Sequence, residues 1–341
     1  MKLHRALIAA SILASLGIAR GQPSAIQQLQ NMQQQQLQMP QPALRSGTNA
    51  PELYTGENAD IGPQRILSVG ANGKAPRRKF LDGQADTQMF YSDNASYNGS
   101  HNRIGSMVFV NSVQAAIAPD PYDVGAGKFA PAVGFSSQWY NYNDVRMNGL
   151  DFNAQTAFAN FRYLTGYWQF SLGANFTRLS ALGSYDETYR EWLPNLTVQR
   201  ALPINDKMAF VVGDAVSYHF TTVPQLTLAT LPPIVAPLRD DINDHLDNTL
   251  FVSLNWQLTP QVVIQPFYRF QYSWYKNAST MPGTIRNDYL NAFGITLLYS
   301  INENLSLRTF CSYTTKSSDD QNTPTYDEFN GGIGAMLDIR F

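Results

Sequence analysis

The residues of this 341-residue chain best suited to chemistry are few: four histidines and a single cysteine, Cys311. His219 and Thr221 share one face of the stretch YHFTT, because residues two apart on a strand point the same way. A hydroxyl beside an imidazole is the start of an acyl-transfer site, which also needs a third group to orient the base. No third member is readable near this pair. The stretch DDINDHLD sets Asp240, Asp241, Asp244 and His245 at a loop–strand junction. Carboxylates beside a histidine can hold a cation or act as a general base. Asp244 and His245 are adjacent, however, so on a strand they point to opposite faces, and a solvated acidic loop is expected instead. There is no glycine-rich phosphate loop between a strand and a helix, and no Cys/His cluster at metal-ligand spacing. The expectation is a chain without catalytic residues, metal or cofactor.

Charged residues offer a different chemistry. Arg269, Arg286, Asp288, Arg308, Glu328, Asp338 and Arg340 fall on the polar face of alternating segments. Gln169, Asn175, Asn195, Thr197, Gln199, Asn255, Gln257, Gln265 and Gln271 lie on the same face. Mixed signs suit internal salt bridges that brace a wall, or a selective constriction in which the arginines meet a passing solute.

The elements that must carry these residues read as strands. Ten segments alternate apolar and polar: 130–141, 149–163, 166–179, 190–202, 207–221, 246–258, 261–275, 285–300, 304–315 and 328–341. In the third, Trp168, Phe170, Leu172, Ala174 and Phe176 oppose Gln169, Ser171, Gly173, Asn175 and Thr177. In the second, Leu150, Phe152, Ala154, Thr156 and Phe158 share one face, with Asp151, Asn153 and Gln155 on the other. The last runs back from Phe341 through Ile339, Leu337, Ala335 and Ile333. Connections are short after the second, fourth, sixth and eighth segments and mostly long between; 223–245 is the longest. Long strands with two unlike faces, short turns at one end and long loops at the other fit a sheet closed across a bilayer. Trp168, Trp256 and Tyr299 then lie at one interface, and Trp139, Trp192 and Trp274 near the other, as two aromatic belts require.

The remaining sequence sets the context. Basic and acidic residues nearly balance, with 24 Lys+Arg against 26 Asp+Glu, so nothing points to a nucleic-acid partner. Lys2 and Arg5 precede the apolar stretch ALIAASILASLGIA, read as a secretory signal peptide cleaved after Ala19 or Gly21. Residues 22–45 are Gln-rich, either a disordered linker or a short helix with Ile26, Leu29 and Met32 as a stripe. From 46 to 128 the chain is rich in turn residues, with short strands in RILSV (65–69) and RIGSMVFVNSV (103–113) and a solvated basic cluster, Arg77-Arg78-Lys79. This stretch could plug a lumen, extend the barrel to twelve strands or hang in the periplasm.

On these residues the chain resembles the outer-membrane β-barrel proteins of Gram-negative bacteria, porin-like but of no identified subfamily. The resemblance implies an all-β antiparallel transmembrane barrel of about ten strands (8–12). It also implies that Phe341, Ile339, Leu337 and Ile333 form the assembly signal read by the barrel-assembly machinery. His219 and Thr221 loosely resemble the His-x-Ser pair of outer-membrane lipid hydrolases, with Thr in place of Ser. The Asp/His pairing of the ten-stranded omptin proteases is not reproduced at Asp244 and His245. The expected organisation is a signal peptide (1–21), a Gln-rich disordered linker (22–45), a loop-rich periplasmic or plug-like region (46–128) and the barrel (129–341). The expected location is the outer membrane, with lipid, lipopolysaccharide and small polar solutes as partners, no nucleic acid, and room for a homo-oligomer. The expected function is a narrow passive pore; the alternatives are a closed structural or adhesion barrel and, last, a hydrolase. Two residues fit poorly: Asp214 falls on the apolar face of its strand, relieved by a bulge at Gly213 or by another protomer, and Pro266 removes a ladder hydrogen bond.

Overall fold

The computed structural model describes residues 53–55, 64–66, 80–97, 103–222, 243–278, 285–302, 304–320 and 325–340. Twelve antiparallel strands close into one barrel. They are β1 (Leu81–Ser92), β2 (Ser106–Ile117), β3 (Gly127–Tyr142), β4 (Phe152–Thr165), β5 (Trp168–Ala181) and β6 (Glu187–Asn205). The second half is β7 (Met208–Thr222), β8 (His245–Thr259), β9 (Val262–Ala278), β10 (Ile285–Ser300), β11 (Leu305–Ser318) and β12 (Tyr326–Arg340). Each strand pairs with the next, and β12 pairs with β1 from Asn330↔Ser92 to Arg340↔Asp82, so no edge is left open. A short strand, Tyr122–Val124, folds back on the start of β3, and Leu53–Thr55 pairs with Gln64–Ile66 as a separate ladder.

Ten of these strands coincide with the alternating segments. The strand number is twelve rather than about ten, because β1 and β2 come from the stretch 46–128. Their outward residues explain why they are hard to read. Ala85, Thr87, Asn111 and Ala115 face outward there, so the apolar–polar contrast is weak. They are held in the wall by pairing with β12 and β3.

The alternation sorts side chains into two environments. Val133, Phe135, Leu172, Leu196, Leu250, Phe293 and Ile333 point outward and are 48–58% exposed. Such a continuous apolar surface around a whole barrel is foreign to a water-soluble monomer. A 14-residue strand such as β4 is about 46 Å long. Tilted by about 40°, a strand of that length covers an apolar band of roughly 25 Å with residues to spare. Short connections, among them Gly166-Tyr167 with Gly166 at φ +56°, gather at the end where β1 begins and β12 finishes. Longer ones, including 223–244 and the 3₁₀ helix Val145–Leu150, lie at the other end, here called outer.

One strand has the opposite phase to its expected one. In β4 Phe152, Ala154 and Phe158 face the lumen, in register with Tyr140, Gln138 and Gly134 of β3, while Asn153 and Gln155 face outward. Asn153 donates to Ser137 Oγ and to the Gln138 carbonyl, both at 2.9 Å, so its outward amide is satisfied within the wall. Asp214 does lie on the outward face, without any bulge at Gly213: the ladder runs unbroken there, and Asn248 Nδ2 donates to its carboxylate at 3.0 Å. Pro266 faces outward opposite Ile295.

Candidate functional site in the lumen

Strand register sets which side chains meet inside. The expected polar face, from Gln169 to Gln271, occupies the inward positions throughout. So do the charged candidates, although Arg340 is placed only by its register with Asp82. Arg308 lies in the half near the short turns and donates to Asp86 at 2.7 Å and to the Gln88 amide oxygen at 2.9 Å. Arg269 sits near mid-height and is 2% exposed. Further out, Asp288 takes Lys316 at 2.8 Å and Arg286 through two nitrogens, and the Arg286 guanidinium lies over the Tyr275 ring at 4.1 Å. Glu328 accepts from Ser92 Oγ at 2.7 Å, and Asp338 is buried near the opposite end.

The wall is unevenly divided. From β1 to β5 the outer half of the lumen holds an apolar cluster among a few buried polar side chains, Ser92, Ser106, Gln138 and Thr177. There Phe90, Val108, Tyr140, Phe152 and Leu179 pack with Ala95 and Met147 from two outer loops. Tyr140 and Phe152 stack at 4.4 Å. From β6 to β12 the same level is richer in charge, although Tyr189 and Phe310 join the apolar cluster and Leu193 and Leu290 are buried there. Its centre is a cluster that the sequence does not reveal as a unit: His219 on β7, His245 and Asp247 on β8, and Glu191 on β6.

The strand pairing builds this cluster. His219 is the cross-strand partner of His245, and Ser217 of Asp247. The two imidazoles stack at 4.0 Å with 10° between their planes, and Tyr275 stacks on the far side of His245 at 4.6 Å. Asp247 Oδ2 lies 3.0 Å from His219 Nε2, and Asp247 Oδ1 lies 3.6 Å from His245 Nε2. Glu191 Oε1 accepts from the Tyr189 hydroxyl at 2.7 Å and meets His219 Nδ1 at 2.7 Å. Thr221, the expected companion of His219, instead donates through its amide and hydroxyl to Asp244 Oδ1, at 2.8 and 3.1 Å. Asp244 and His245 do not meet as an acid–base pair. Asp240 and Asp241 lie outside the described residues.

The pairing is hidden in the sequence because the longest loop separates His219 from His245, and neither has the other among its chain neighbours. The available signal is phase: Ser217-x-His219 and His245-x-Asp247 occupy inward positions on consecutive strands.

The other expected site residues lie on the outer surface. Ile333, Leu337 and Ile339 face outward on β12, and Phe341 lies outside the described residues. Trp168, Trp192, Trp256, Trp274 and Tyr299 are 39–55% exposed on the outward face, and Trp139 is partly covered there.

No family model matches the chain, and no curated protein matches it. Among solved structures, an outer membrane channel from Pseudomonas putida F1 is 9% identical, with a TM-score of 0.49, covering 80% of this chain and 100% of that one. The KdgM porin in complex with disordered oligogalacturonate is 10% identical, with a TM-score of 0.36, covering 74% of this chain and 98% of that one. LpxR from Salmonella typhimurium is 10% identical, with a TM-score of 0.40 and coverage of 74% and 99%. The closed sheet, the even strand number and the apolar girdle make the chain an outer-membrane-type β-barrel.

Proposed function

We propose that the protein is a narrow passive pore of the outer membrane for small polar solutes. The observation that supports this is the polar track on the inward faces of β6 to β12, which runs from Arg308 through Arg269 to Lys316 and Asp288. A solute leaving water needs groups that replace its hydration shell, and this run of amides and charges offers them. The inward side chains of this track are buried, so only a small molecule would pass between them. Planar-bilayer recording of the refolded protein tests the reading: small, ohmic conductance steps are expected, and silence at every voltage would remove it.

A second reading, a closed structural barrel, is favoured by one feature. The apolar packing of Met147 and Ala95 against Tyr140 and Phe152 caps part of the outer lumen. Under that reading the same recording stays silent, and wild-type barrels remain impermeant in loaded vesicles.

A further inference from the structure

We propose that the outward face of β5 and β6 binds a phosphate group of lipopolysaccharide in the outer leaflet, through Arg178 and Arg190. The two arginines are register partners on adjacent strands. Both point away from the lumen, since Thr177, Leu179, Tyr189 and Glu191 beside them are the buried, inward residues. Gln155 on β4 partners Arg178 on its other side, and Thr222 on β7 partners Arg190. Four neighbouring outward positions in one row thus carry N–H or O–H donors. Their height fits a headgroup. Phe176 and Trp192 are also register partners, with ring centroids 5.0 Å apart, and belong to the outer aromatic belt. Each arginine lies two residues nearer the long loops than its aromatic. Two residues of strand span about 7 Å, or roughly 5 Å along the membrane normal at a tilt of about 40°.

The charges carry the stronger argument. Like charges directly opposite one another on a sheet repel and weaken the pairing. Glu187 offsets part of this: its Oε2 lies 2.9 Å from Arg178 Nε and its Oε1 3.6 Å from Arg190 Nε. The shorter contact is an ion pair without the alignment of a hydrogen bond. Two guanidiniums against one carboxylate leave a positive charge, and the arginine side chains are 43% and 47% exposed on the outward face. The other carboxylates at these strand ends, Asp151 and Asp186, lie further toward the loops, and Asp151 accepts from the Tyr142 amide. Lys276 stands two residues beyond Trp274 in the same way, but as a single cation with Asp244 at 3.8 Å. A phosphate monoester brings up to about two negative charges and three acceptor oxygens. Guanidinium forks match that geometry. The row beneath favours a lipid over a free anion. There Phe176, Trp192 and Phe220 lie side by side on the outward face, where acyl chains pack and inorganic phosphate gains nothing. Gln155 and Thr222, at the ends of the donor row, suit the hydroxyls of a sugar that carries the phosphate.

This inference does not depend on the pore reading, and conductance does not enter its test. Full-length protein refolded in zwitterionic detergent is mixed with lipid A, dephosphorylated lipid A, phosphatidylglycerol or inorganic phosphate. Native mass spectrometry then counts the molecules retained. One lipid A per barrel is expected at concentrations where the other three are not held. The double change Arg178→Gln, Arg190→Gln should weaken that binding by about 10- to 100-fold, while heat-modifiable gel migration still reports a folded barrel. Glu187→Gln removes the competing carboxylate and should tighten it. Arg200→Gln, at the opposite end of β6 over the Trp168 ring, should leave it unchanged. Wild-type protein that holds dephosphorylated lipid A or phosphatidylglycerol as well as lipid A would overturn the site, as would equal lipid A binding by the folded double variant. Displacement of lipid A by equimolar inorganic phosphate would overturn the choice of a lipid. If the double variant does not fold, Glu187→Gln decides: tighter binding supports the site, and unchanged or weaker binding overturns it.

Discussion

Among single residues, buried charges carry the largest energies. Arg308 and Asp86 face each other in the lumen, each 2% exposed in its side chain. Removing one partner of such a pair strands the other charge in a poor solvent, which costs about 3–5 kcal/mol, whereas replacing both with apolar groups is often neutral or better. Arg308→Met should therefore lower the stability of the refolded barrel by about that amount in urea titrations. Asp86→Leu combined with Arg308→Met should recover most of it. Equal losses for the single and double changes would mean that both act through packing. Arg308 is legible as an inward cation from alternation alone; Asp86 is not, since β1 alternates too weakly to read. The lumenal histidines are obscured for a related reason. Phase places a residue on a face, but only register across a 22-residue connection says which residues touch.

Whole strands show where alternation succeeds and where it misleads. Segments with strong contrast, such as Leu250, Val252 and Leu254 against Thr249, Ser253 and Asn255, turn the expected face toward lipid. β4 is reversed because its apolar residues fill the lumen beside small neighbours. Four inward glycines each lie under a cross-strand phenylalanine: Gly134 and Phe158, Gly213 and Phe251, Gly294 and Phe267, Gly332 and Phe90. The ring occupies the space a Cβ would need. A Cβ on Gly213 would lie 2.3 Å from the far end of the Phe251 ring, whereas on Gly332 it would meet Phe90 Cβ at 2.3 Å and the Met89 carbonyl at 2.5 Å. Gly213→Ala should thus cost about 1–3 kcal/mol and be relieved by Phe251→Leu. Gly332→Ala should not be relieved by Phe90→Leu, because backbone blocks it. The same unfolding titrations check both pairs, and rescue of Gly332→Ala would contradict the close approach.

The outer 3₁₀ helix gives an element-level pH effect. Hydrogen bonds from the Arg146 side chain, then from its amide, hold the Asp144 carboxyl at about 2, below its ordinary 3.8. A depressed folded value means that the cap's contribution is complete above the ordinary carboxylate range and disappears as pH falls through about 2. Amide exchange at Met147, whose N–H donates to the Asp144 carbonyl at 2.8 Å, should show that loss in wild type and no such step in Asp144→Asn.

For the molecule as a whole, closure decides what the lumen can do. Alternation places most of the wall and its outward aromatics, yet β1 and β2 finish the circle and add Phe90, Val108 and Val110 to the apolar side of the outer lumen. The result is a barrel with two unlike inner walls, and a solute pathway belongs along the charged one. Lys316, 3% exposed and 2.8 Å from Asp288, lies on that wall, while Met147, fully buried, caps the other. If the pore follows the charged wall, Lys316→Gln leaves Arg286 as the cation paired with Asp288, makes the local field more negative and shifts the reversal potential in a salt gradient toward cations. Met147→Ser should leave selectivity unchanged and raise conductance only where the cap limits the opening. Bilayer recordings of wild type and both variants separate these outcomes. A selectivity change from Met147→Ser with none from Lys316→Gln would move the pathway to the apolar wall and overturn the assignment of the charged track.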